Sequence, residues 1–151
     1  MTYVSGQDGK KDGCIFDFGH DVKHDKESLL LYHDQTTEVL LNRFPYANGH
    51  LLVAPSRHVA DLCELTSEES SAVMTTIQKC TTILRKKMQP DGFNIGLNLG
   101  KTAGAGHADH LHFHIVPRWD GDHNFMTTLA AVRTIPQHIE KTFDLLLEDF
   151  H

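Results

Sequence analysis

The sequence has few cysteines and no long apolar run. Its three cysteines, Cys14, Cys63 and Cys80, are odd in number and far apart, which argues against a disulfide framework. No apolar stretch is long enough to span a bilayer, and residues 1–10 contain no signal-peptide core. We therefore expect a cytoplasmic protein that does not associate with membranes.

The sequence also lacks a run of Lys and Arg residues. Its formal net charge is −6 with the histidines counted as neutral. Binding to the phosphate backbone of nucleic acids requires a basic stripe or patch, so we expect no nucleic-acid partner. This argument does not exclude a small anionic nucleotide, which backbone amides, histidines and one or two cations can hold in a local pocket.

The order of predicted elements indicates an α+β protein. With 151 residues and 40% hydrophobic content, the chain fits one domain over residues 14–151, preceded by a flexible polar segment at 1–13. Strands are predicted at residues 28–33, 37–42, 50–54, 93–99 and 109–116. A long helix is predicted over 66–88, with Thr66 or Ser67 as its N-cap, and a final amphipathic helix from Ile135 and Pro136. The strands do not alternate regularly with helices, which distinguishes this plan from a parallel α/β sheet.

Histidines are concentrated in the last predicted strand. His110, His112 and His114 alternate with Leu111, Phe113 and Ile115. Because alternate side chains of a strand point to opposite faces, the histidines would form one row, spaced roughly 6 to 7 Å apart. Such a row could bind a metal, carry out catalysis with one imidazole as nucleophile, or form a solvated polar face.

The surrounding residues favour catalysis. Matching segments occur in order at 42–45 (NRFP), 48–55 (NGHLLVAP), 57–58 (RH), 94–100 (NIGLNLG), 103–104 (AG) and 117–126 (PRWDGDHNFM). Together with the His-x-His-x-His pattern, this set resembles the histidine triad family of nucleotide hydrolases and transferases. The resemblance runs from about Cys14 to Met126. Residues 117–126 are similar to the branch that holds the fragile histidine triad hydrolases and the diadenosine tetraphosphate phosphorylases.

The resemblance implies both a fold and a reaction. The fold would be a meandering antiparallel sheet of about five strands with helices on one side, in a homodimer joined through the long helix and the adjoining sheet edge. In the reaction, His112 would attack the α-phosphate of a nucleotide and form a covalent nucleotidyl-histidine. Water or phosphate would then release the nucleotide.

The resemblance also assigns roles to other residues. His114 would stabilise charge on the phosphate, His50 would be the fourth histidine of the site, and His110 would either orient His112 or take part in the chemistry. The candidate substrate contacts are Asn42 for the ribose, Asn98 for the phosphates or leaving group, Phe16 and Leu41 for the base, and Arg118 for the phosphates. For Phe16 and Leu41 ordinary core packing is the favoured alternative, and Arg118 could instead pair with an acidic neighbour.

The loop before the triad departs from the family pattern. Many members carry Gln, often followed by Ser or Thr, whereas this chain has Ala105, Gly106 and His107. Backbone amides from Gly104 to His107 could replace those donors, and His107 could approach the phosphates as a cation. The departure bears on the specificity for the leaving group more than on the chemistry.

A second departure concerns a structural zinc that some relatives hold. The corresponding residues here are Cys14, Asp17, His58 and His110, so a carboxylate stands where those relatives have a second thiolate. Asp is an acceptable zinc ligand, and the site could persist or be lost. The chemistry itself requires no cofactor.

Four functions are compatible with the sequence. The first is cleavage of a dinucleoside polyphosphate by hydrolysis or phosphorolysis. The second is hydrolysis of a nucleoside phosphoramidate or an adenylylated small molecule, and the third is a nucleotide-binding signalling module with vestigial catalysis. The fourth, a metal-dependent enzyme with the three triad histidines as ligands, is the weakest because alternation along a strand spreads the imidazoles widely.

Overall fold

A computed structural model describes residues 13–18, 22–122 and 125–151, with the side chains of all of these except 125–137. Within these ranges the elements follow one another as β1 (Leu30–His33), β2 (Thr37–Leu41), β3 (Leu51–Pro55), α1 (Ser67–Met88), β4 (Gly92–Leu97), β5 (Phe113–Arg118) and α2 (Phe125–Phe150). Two short 3-10 helices lie at Leu62–Glu64 and Lys101–Ala103. The segment predicted to be flexible, residues 1–13, lies outside the described residues except for Gly13.

The five strands form one antiparallel sheet in the order β1-β2-β3-β5-β4. The turn between β1 and β2 is closed by Asp34, whose side chain accepts hydrogen bonds from the backbone amides of Thr36 and Thr37 at 2.7 and 2.8 Å. The β4 strand lies at one edge of the sheet. The sequence-based prediction of an α+β fold with a five-stranded antiparallel sheet is therefore confirmed.

The two faces of the sheet are covered differently. Leu51 and Ile115 are paired on the face that packs against α1 and α2, where the main core lies. Leu52 and His114 are paired on the opposite face. There a smaller apolar cluster includes Cys14 and Phe16, which precede the first strand. The sheet thus separates a helix-covered core from a second face that carries His114.

Helix α1 agrees closely with its prediction. Thr66 is the N-cap, and its hydroxyl accepts a hydrogen bond from the amide of Glu69 while the Glu69 carboxylate accepts one from the amide of Thr66. This capping box satisfies two donors that the first turn leaves without helical partners. At the other end Gln89 adopts the left-handed conformation (φ 52°) and Pro90 follows, so the helix ends.

Helix α2 begins ten residues before the predicted start at Ile135, at Phe125. The prediction treated Pro136 as a first-turn residue, where its missing N–H has no cost. In the structure Pro136 lies within the helix. Among the described residues, no helix is long and apolar enough to cross a membrane.

Strand β5 also differs from its prediction, because it begins at Phe113 and leaves His110 and His112 ahead of it. The pairing of β3 with β5 stops at Val53 and Phe113. Two residues further, Pro55 has no N–H to donate across the ladder. The amide of Leu111 instead donates to the carbonyl of Val59 at 2.7 Å. The triad therefore straddles the end of a strand.

Gly49 shapes the turn that leads into His50. Its φ is +83°, and a Cβ atom there would lie 2.7 Å from the sulfur of Met88 and 3.3 Å from a methyl group of Leu84. Both the conformation and the close approach of α1 require glycine. The contact with α1 therefore restricts the turn that precedes His50 and β3.

The capping box gives a prediction for stability. Thr66→Ala should lower the free energy of unfolding by about 1 kcal/mol, because the amide of Glu69 loses its acceptor at the helix N-terminus. Urea denaturation followed by circular dichroism measures this. The matched control is Thr82→Ala, an exposed threonine of the same helix whose hydroxyl bonds only to the carbonyl four residues earlier. An equal loss in both variants would contradict the role of the cap.

Candidate active site

Four histidines meet at the end of the sheet. His50 lies just before β3, His114 lies in β5, and His110 and His112 lie in the segment that enters β5. The ring centroids of His114 are 5.1 Å from those of both His50 and His112. His50, His110 and His112 are buried, and His114 is half-buried. The structure thus brings together the rings of His50, His112 and His114, while His110 contacts His112 through its backbone carbonyl.

A chain of hydrogen bonds orients His50 and His114. The backbone amide of Tyr46 lies 3.1 Å from Nδ1 of His50, and an amide can only donate, so this nitrogen is the acceptor. In the neutral ring Nε2 then carries the proton and donates to Nδ1 of His114 at 2.9 Å. His114 consequently carries its own proton on Nε2, as a donor at the far end of the chain.

His112 has the opposite tautomer. Its Nδ1 lies 2.9 Å from the carbonyl oxygen of His110, which can only accept, so Nδ1 carries the proton. The unprotonated nitrogen of the neutral ring is therefore Nε2. A lone pair on Nε2 is what a nucleophilic imidazole requires.

Burial keeps these rings neutral. Desolvation, reinforced by His114 and His112, lowers the pKa of His50 to about 3. Desolvation and His112 likewise lower the pKa of His114 to about 4. The pKa of His112 is also lowered, again by burial. All three imidazoles are uncharged at neutral pH, which preserves both the hydrogen-bonded chain and the lone pair of His112.

Three of the four predicted zinc ligands form a cluster beside the triad. Nδ1 of His110 lies 3.2 Å from Nδ1 of His58 and 3.4 Å from the sulfur of Cys14, and the sulfur lies 3.8 Å from Nδ1 of His58. Among the described residues, this is the group whose ligand atoms all lie within 4.8 Å of one another. Asp17, the fourth predicted ligand, is outside it, and so are His112 and His114.

The outer nitrogens of the two cluster histidines differ in their surroundings. Nε2 of His110 lies 2.8 Å from the carbonyl oxygen of Pro55, so it is the protonated nitrogen and Nδ1 carries a lone pair toward the cluster. Nε2 of His58 lies 3.8 Å from the carboxylate of Asp109. A histidine whose outer nitrogen is held by a carbonyl, as in His110, is typical of metal ligands. Burial raises the pKa of Cys14 to about 11, so the thiol keeps its proton in the absence of a cation.

Three of the predicted substrate contacts, Asn42, His107 and Phe16, lie near the histidines. The side-chain nitrogen of Asn42 lies 3.4 Å from both ring nitrogens of His50, and its oxygen accepts the amide of Phe44 at 3.0 Å. The ring of His107 lies 6.4 Å from that of His112. Phe16 packs against His110 and His112, with ring centroids 4.9 and 5.1 Å away.

Within the loop between β4 and β5, Gly104 lies next to Asn98. Gly104 has φ +95°, and a Cβ atom there would lie 3.7 Å from the side-chain nitrogen of Asn98. Gly106 has no such requirement, because its φ is not positive and a Cβ atom would meet nothing within 4 Å. The loop therefore has open space at Gly106, where backbone can face a ligand.

Leu41 and Arg118 are not brought to the histidines. Leu41 belongs to the main core on the helix-covered face, opposite to His114, so the packing interpretation describes it. Arg118 is at the other end of β5, about 20 Å along the strand from His112. Its guanidinium donates to both carboxylate oxygens of Asp122 at 2.9 Å and to Asn94 at 2.7 Å. The acidic pairing that was left open for Arg118 is the one observed.

Tyr46 is a residue of the site that the sequence analysis treated only as part of a turn. Its ring centroid is 4.7 Å from that of His50, and its ring is nearly parallel to that of His114, at 6.1 Å and 14°. The signal that could have identified it is an aromatic residue placed next to the site in a short turn, where it has no strand or helix face to pack.

Comparisons with known proteins agree with this geometry. A family model described as HIT domain matches residues 23–121. The chain is 42% identical over 126 residues to the AP-4-A phosphorylase of Mycobacterium tuberculosis, covering 83% of this chain and 65% of that protein. It is 30% identical over 93 residues to the bis(5'-adenosyl)-triphosphatase of Dictyostelium discoideum, covering 62% of each. The chain thus spans somewhat less than two thirds of the length of these two relatives.

A solved structure is similar over most of its length. It is that of a Zn-bound histidine triad family protein from Mycobacterium smegmatis, with a TM-score of 0.66 and 30% sequence identity. The similarity covers 81% of this chain and 83% of that one.

The neutral histidines predict a pH dependence of stability. Their pKa values are about 3 and 4 in the folded chain, for His50 and His114, but about 6.5 in the unfolded chain. As the pH falls below about 6.5, the unfolded chain takes up these protons first, and each histidine costs up to about 1.4 kcal/mol of stability per pH unit. Urea denaturation at a series of pH values between 7.5 and 4.5 measures the slope.

The double variant His50→Gln, His114→Gln should have a shallower slope than the wild type. The control His138→Gln changes an exposed histidine of α2 and should keep the wild-type slope. An unchanged slope in the double variant would mean that other groups cause the acid sensitivity.

Proposed function

Since the HIT domain match spans residues 23–121, the chain belongs to the HIT domain family, and we propose that it cleaves dinucleoside polyphosphates at an α-phosphate. The names of the two similar enzymes support this substrate class. The observation that carries the proposal is the orientation of His112, whose Nδ1–H is held by the carbonyl of His110 at 2.9 Å and whose Nε2 has a free lone pair in the neutral ring.

In the first step, Nε2 of His112 attacks the α-phosphorus. A P–N bond forms while the P–O bond to the leaving nucleotide breaks, so that diadenosine tetraphosphate gives an adenylyl-histidine and ATP. The ring becomes positively charged, and the carbonyl of His110 stabilises this charge through the Nδ1–H. Nε2–H of His114 is the donor for a phosphate oxygen on which negative charge develops.

In the second step, water or phosphate attacks the same phosphorus. The P–N bond breaks and His112 recovers its lone pair, releasing AMP with water or ADP with phosphate. Asn42 is proposed to hydrogen-bond the ribose hydroxyls beside His50, because an amide both donates and accepts. The backbone of Gly104 to His107, the side chain of His107, and Asn98 are proposed to face the polyphosphate, on the opposite side of His112.

We also propose a structural zinc ion at Cys14, His58 and His110. Tetrahedral zinc places two nitrogen ligands about 3.3 Å apart and a nitrogen and a sulfur about 3.6 Å apart. The observed separations are 3.2, 3.4 and 3.8 Å. Asp17 is the proposed fourth ligand, although its carboxylate lies outside the cluster in this structure and would have to approach the ion. The ion would tie the segment before His112 to the segment that contains Cys14. The zinc-bound relative from M. smegmatis supports this proposal.

A homodimer is the proposed assembly. It would join copies through α1 and β4, as the family resemblance implies. The edge strand β4 presents Ile95, and α1 presents Met74; both are large apolar side chains about half exposed in the single chain. Burial of such side chains against a second copy would remove them from water.

Turnover of diadenosine tetraphosphate tests the proposed function. The wild type should release ATP, together with ADP only when phosphate is added if it is a phosphorylase, or with AMP in its absence if it is a hydrolase. His112→Ala should be slower by at least about 1,000-fold, because the nucleophile is lost. Chromatography of the products measures both, and His138→Ala is the control histidine.

The remaining outcomes distinguish the other functions. If the wild type cleaves a nucleoside phosphoramidate but not diadenosine tetraphosphate, His112 would remain the nucleophile and the substrate class would change. Equal turnover by wild type and His112→Ala would reject His112 as the nucleophile. Nucleotide binding without any turnover would indicate a signalling module.

Zinc binding is tested separately from activity. Chelator-treated protein should bind about one zinc ion per chain, and zinc at 100 times its Kd should stabilise the fold by about 2.7 kcal/mol. Cys14→Ser and His58→Ala should each weaken binding, whereas Cys63→Ser should not, because Cys63 is exposed and outside the cluster. Direct metal analysis and thermal unfolding measure these effects. Equal zinc binding by Cys14→Ser would place the ion elsewhere.

A further inference from the structure

A cleft of about 440 Å³ joins the segment before β1 to the end of α2. His24 lines it from the segment before β1, and His151, which directly follows α2, lines it as well. The other lining residues, Asp144, Leu147 and Glu148, belong to the last turns of α2. None of the five belongs to the candidate active site or to the proposed zinc cluster.

Both histidines of the cleft are held by backbone carbonyls of β1. Nδ1 of His24 lies 3.2 Å from the carbonyl oxygen of Leu30, and Nε2 of His151 lies 2.8 Å from that of Leu31. A carbonyl can only accept, so these two nitrogens carry protons. In the neutral rings, Nε2 of His24 and Nδ1 of His151 therefore have lone pairs. Neither nitrogen has a hydrogen-bond partner in the part of the chain that the structure describes.

The two rings are close enough for one ion to bind both. Their centroids are 4.4 Å apart and their planes are inclined at 70°. Two imidazoles that bind one ion at about 2.1 Å, with a right angle between the two bonds, have centroids about 4.5 Å apart. The histidines of the proposed zinc cluster, His58 and His110, have a similar arrangement, at 4.9 Å and 85°. An outer nitrogen held by a carbonyl, as in both rings of the cleft, is typical of metal ligands.

Two carboxylates of α2 can complete the coordination of such an ion. Asp144 and Glu148 are one helical turn apart, so they lie on the same face of the helix. Asp144 pairs with Lys26 at 3.1 Å, and Glu148 pairs with Lys87. The two carboxylate side chains are 60% and 64% exposed, and exposed ion pairs of this kind contribute little to stability. Either carboxylate can therefore turn toward an ion in the cleft.

We propose that His24 and His151 bind a divalent transition-metal ion, with Asp144 or Glu148 as a further ligand. Imidazole nitrogens and carboxylate oxygens are ligands for Ni²⁺, Cu²⁺ and Zn²⁺, and a right angle between two nitrogen ligands suits the square-planar or octahedral geometry of Ni²⁺. Burial lowers the pKa of His24, so its lone pair is present at neutral pH. The ion would tie the segment before β1 to the end of α2, independently of the proposed nucleotide chemistry.

Nickel binding to the chain without an affinity tag tests this site. Native mass spectrometry counts the bound ions, and titration calorimetry gives their affinity. His24→Gln and His151→Gln should each weaken Ni²⁺ binding at the cleft by at least about 10-fold, because each variant removes a nitrogen ligand. Glutamine still offers an N–H to the carbonyl of Leu30 or Leu31. The matched control is His138→Gln, which removes an exposed histidine of α2 and should leave the affinity unchanged.

A Cys14→Ser background separates this site from the proposed zinc cluster. Cys14 belongs to that cluster and not to the cleft, so the losses caused by His24→Gln and His151→Gln should be the same with and without it. Ni²⁺ should also raise the melting temperature of the Cys14→Ser protein, but not that of Cys14→Ser combined with His24→Gln. Circular dichroism establishes that each variant is folded.

Several results would overturn the inference. These are no Ni²⁺ bound in the Cys14→Ser background, unchanged affinity in His24→Gln or in His151→Gln, and a loss in His138→Gln equal to theirs, which would mean that exposed histidines in general bind the ion. The double variant Asp144→Asn, Glu148→Gln should also weaken Ni²⁺ binding. An unchanged affinity there would reject the carboxylates as ligands.

Discussion

A hydrogen bond between two imidazoles requires one ring to donate and the other to accept, and the whole site depends on such a bond. His50 and His114 meet at 2.9 Å, and the amide of Tyr46 determines which ring donates. Burial keeps both rings neutral, so the donor and acceptor roles are not lost to a second proton. If the same imidazoles were exposed to water, their pKa values would lie near neutral pH. Protonation would then remove the donor and acceptor roles.

His112 lies where the regular sheet ends. Inside the ladder, the carbonyl of His110 would be occupied by a neighbouring strand. His110 lies outside β5, and its carbonyl accepts the Nδ1–H of His112. The chain here is instead held by Leu111, which donates to Val59, and by the side chain of His110, which donates to Pro55. Irregular backbone at the strand end thus supplies the group that selects the tautomer.

Much of the fold could be predicted from local patterns. The alternation of apolar residues and the capping sequence at Thr66 depend only on neighbours in the chain. They predicted the five strands in their order along the chain and both ends of α1 correctly. The start of β5 could not be predicted in this way, since it depends on where the pairing of Phe113 with β3 and β4 ends, at Val53 and Leu97.

The candidate site could likewise be predicted only in part. The clustering of the four histidines follows from the alternation and the family pattern. The side of the sheet on which Leu41 lies does not follow from these patterns. All five residues of β2 are buried, so burial does not distinguish the two faces of this strand. Arg118 is close to His114 in sequence, but β5 separates it from the histidines. Its pairing with Asp122 depends on the turn that follows β5.

The cluster of Cys14, His58 and His110 has a consequence for the order of folding. Its members are separated by 44 and 52 residues, so forming it closes two long loops in the chain. Such closure is slow relative to the formation of α1 or of the β1–β2 hairpin, whose contacts are local. His110 belongs to this cluster and also presents the carbonyl that orients His112. The segment that enters β5 is therefore fixed to Cys14 and His58 only after these local elements have formed.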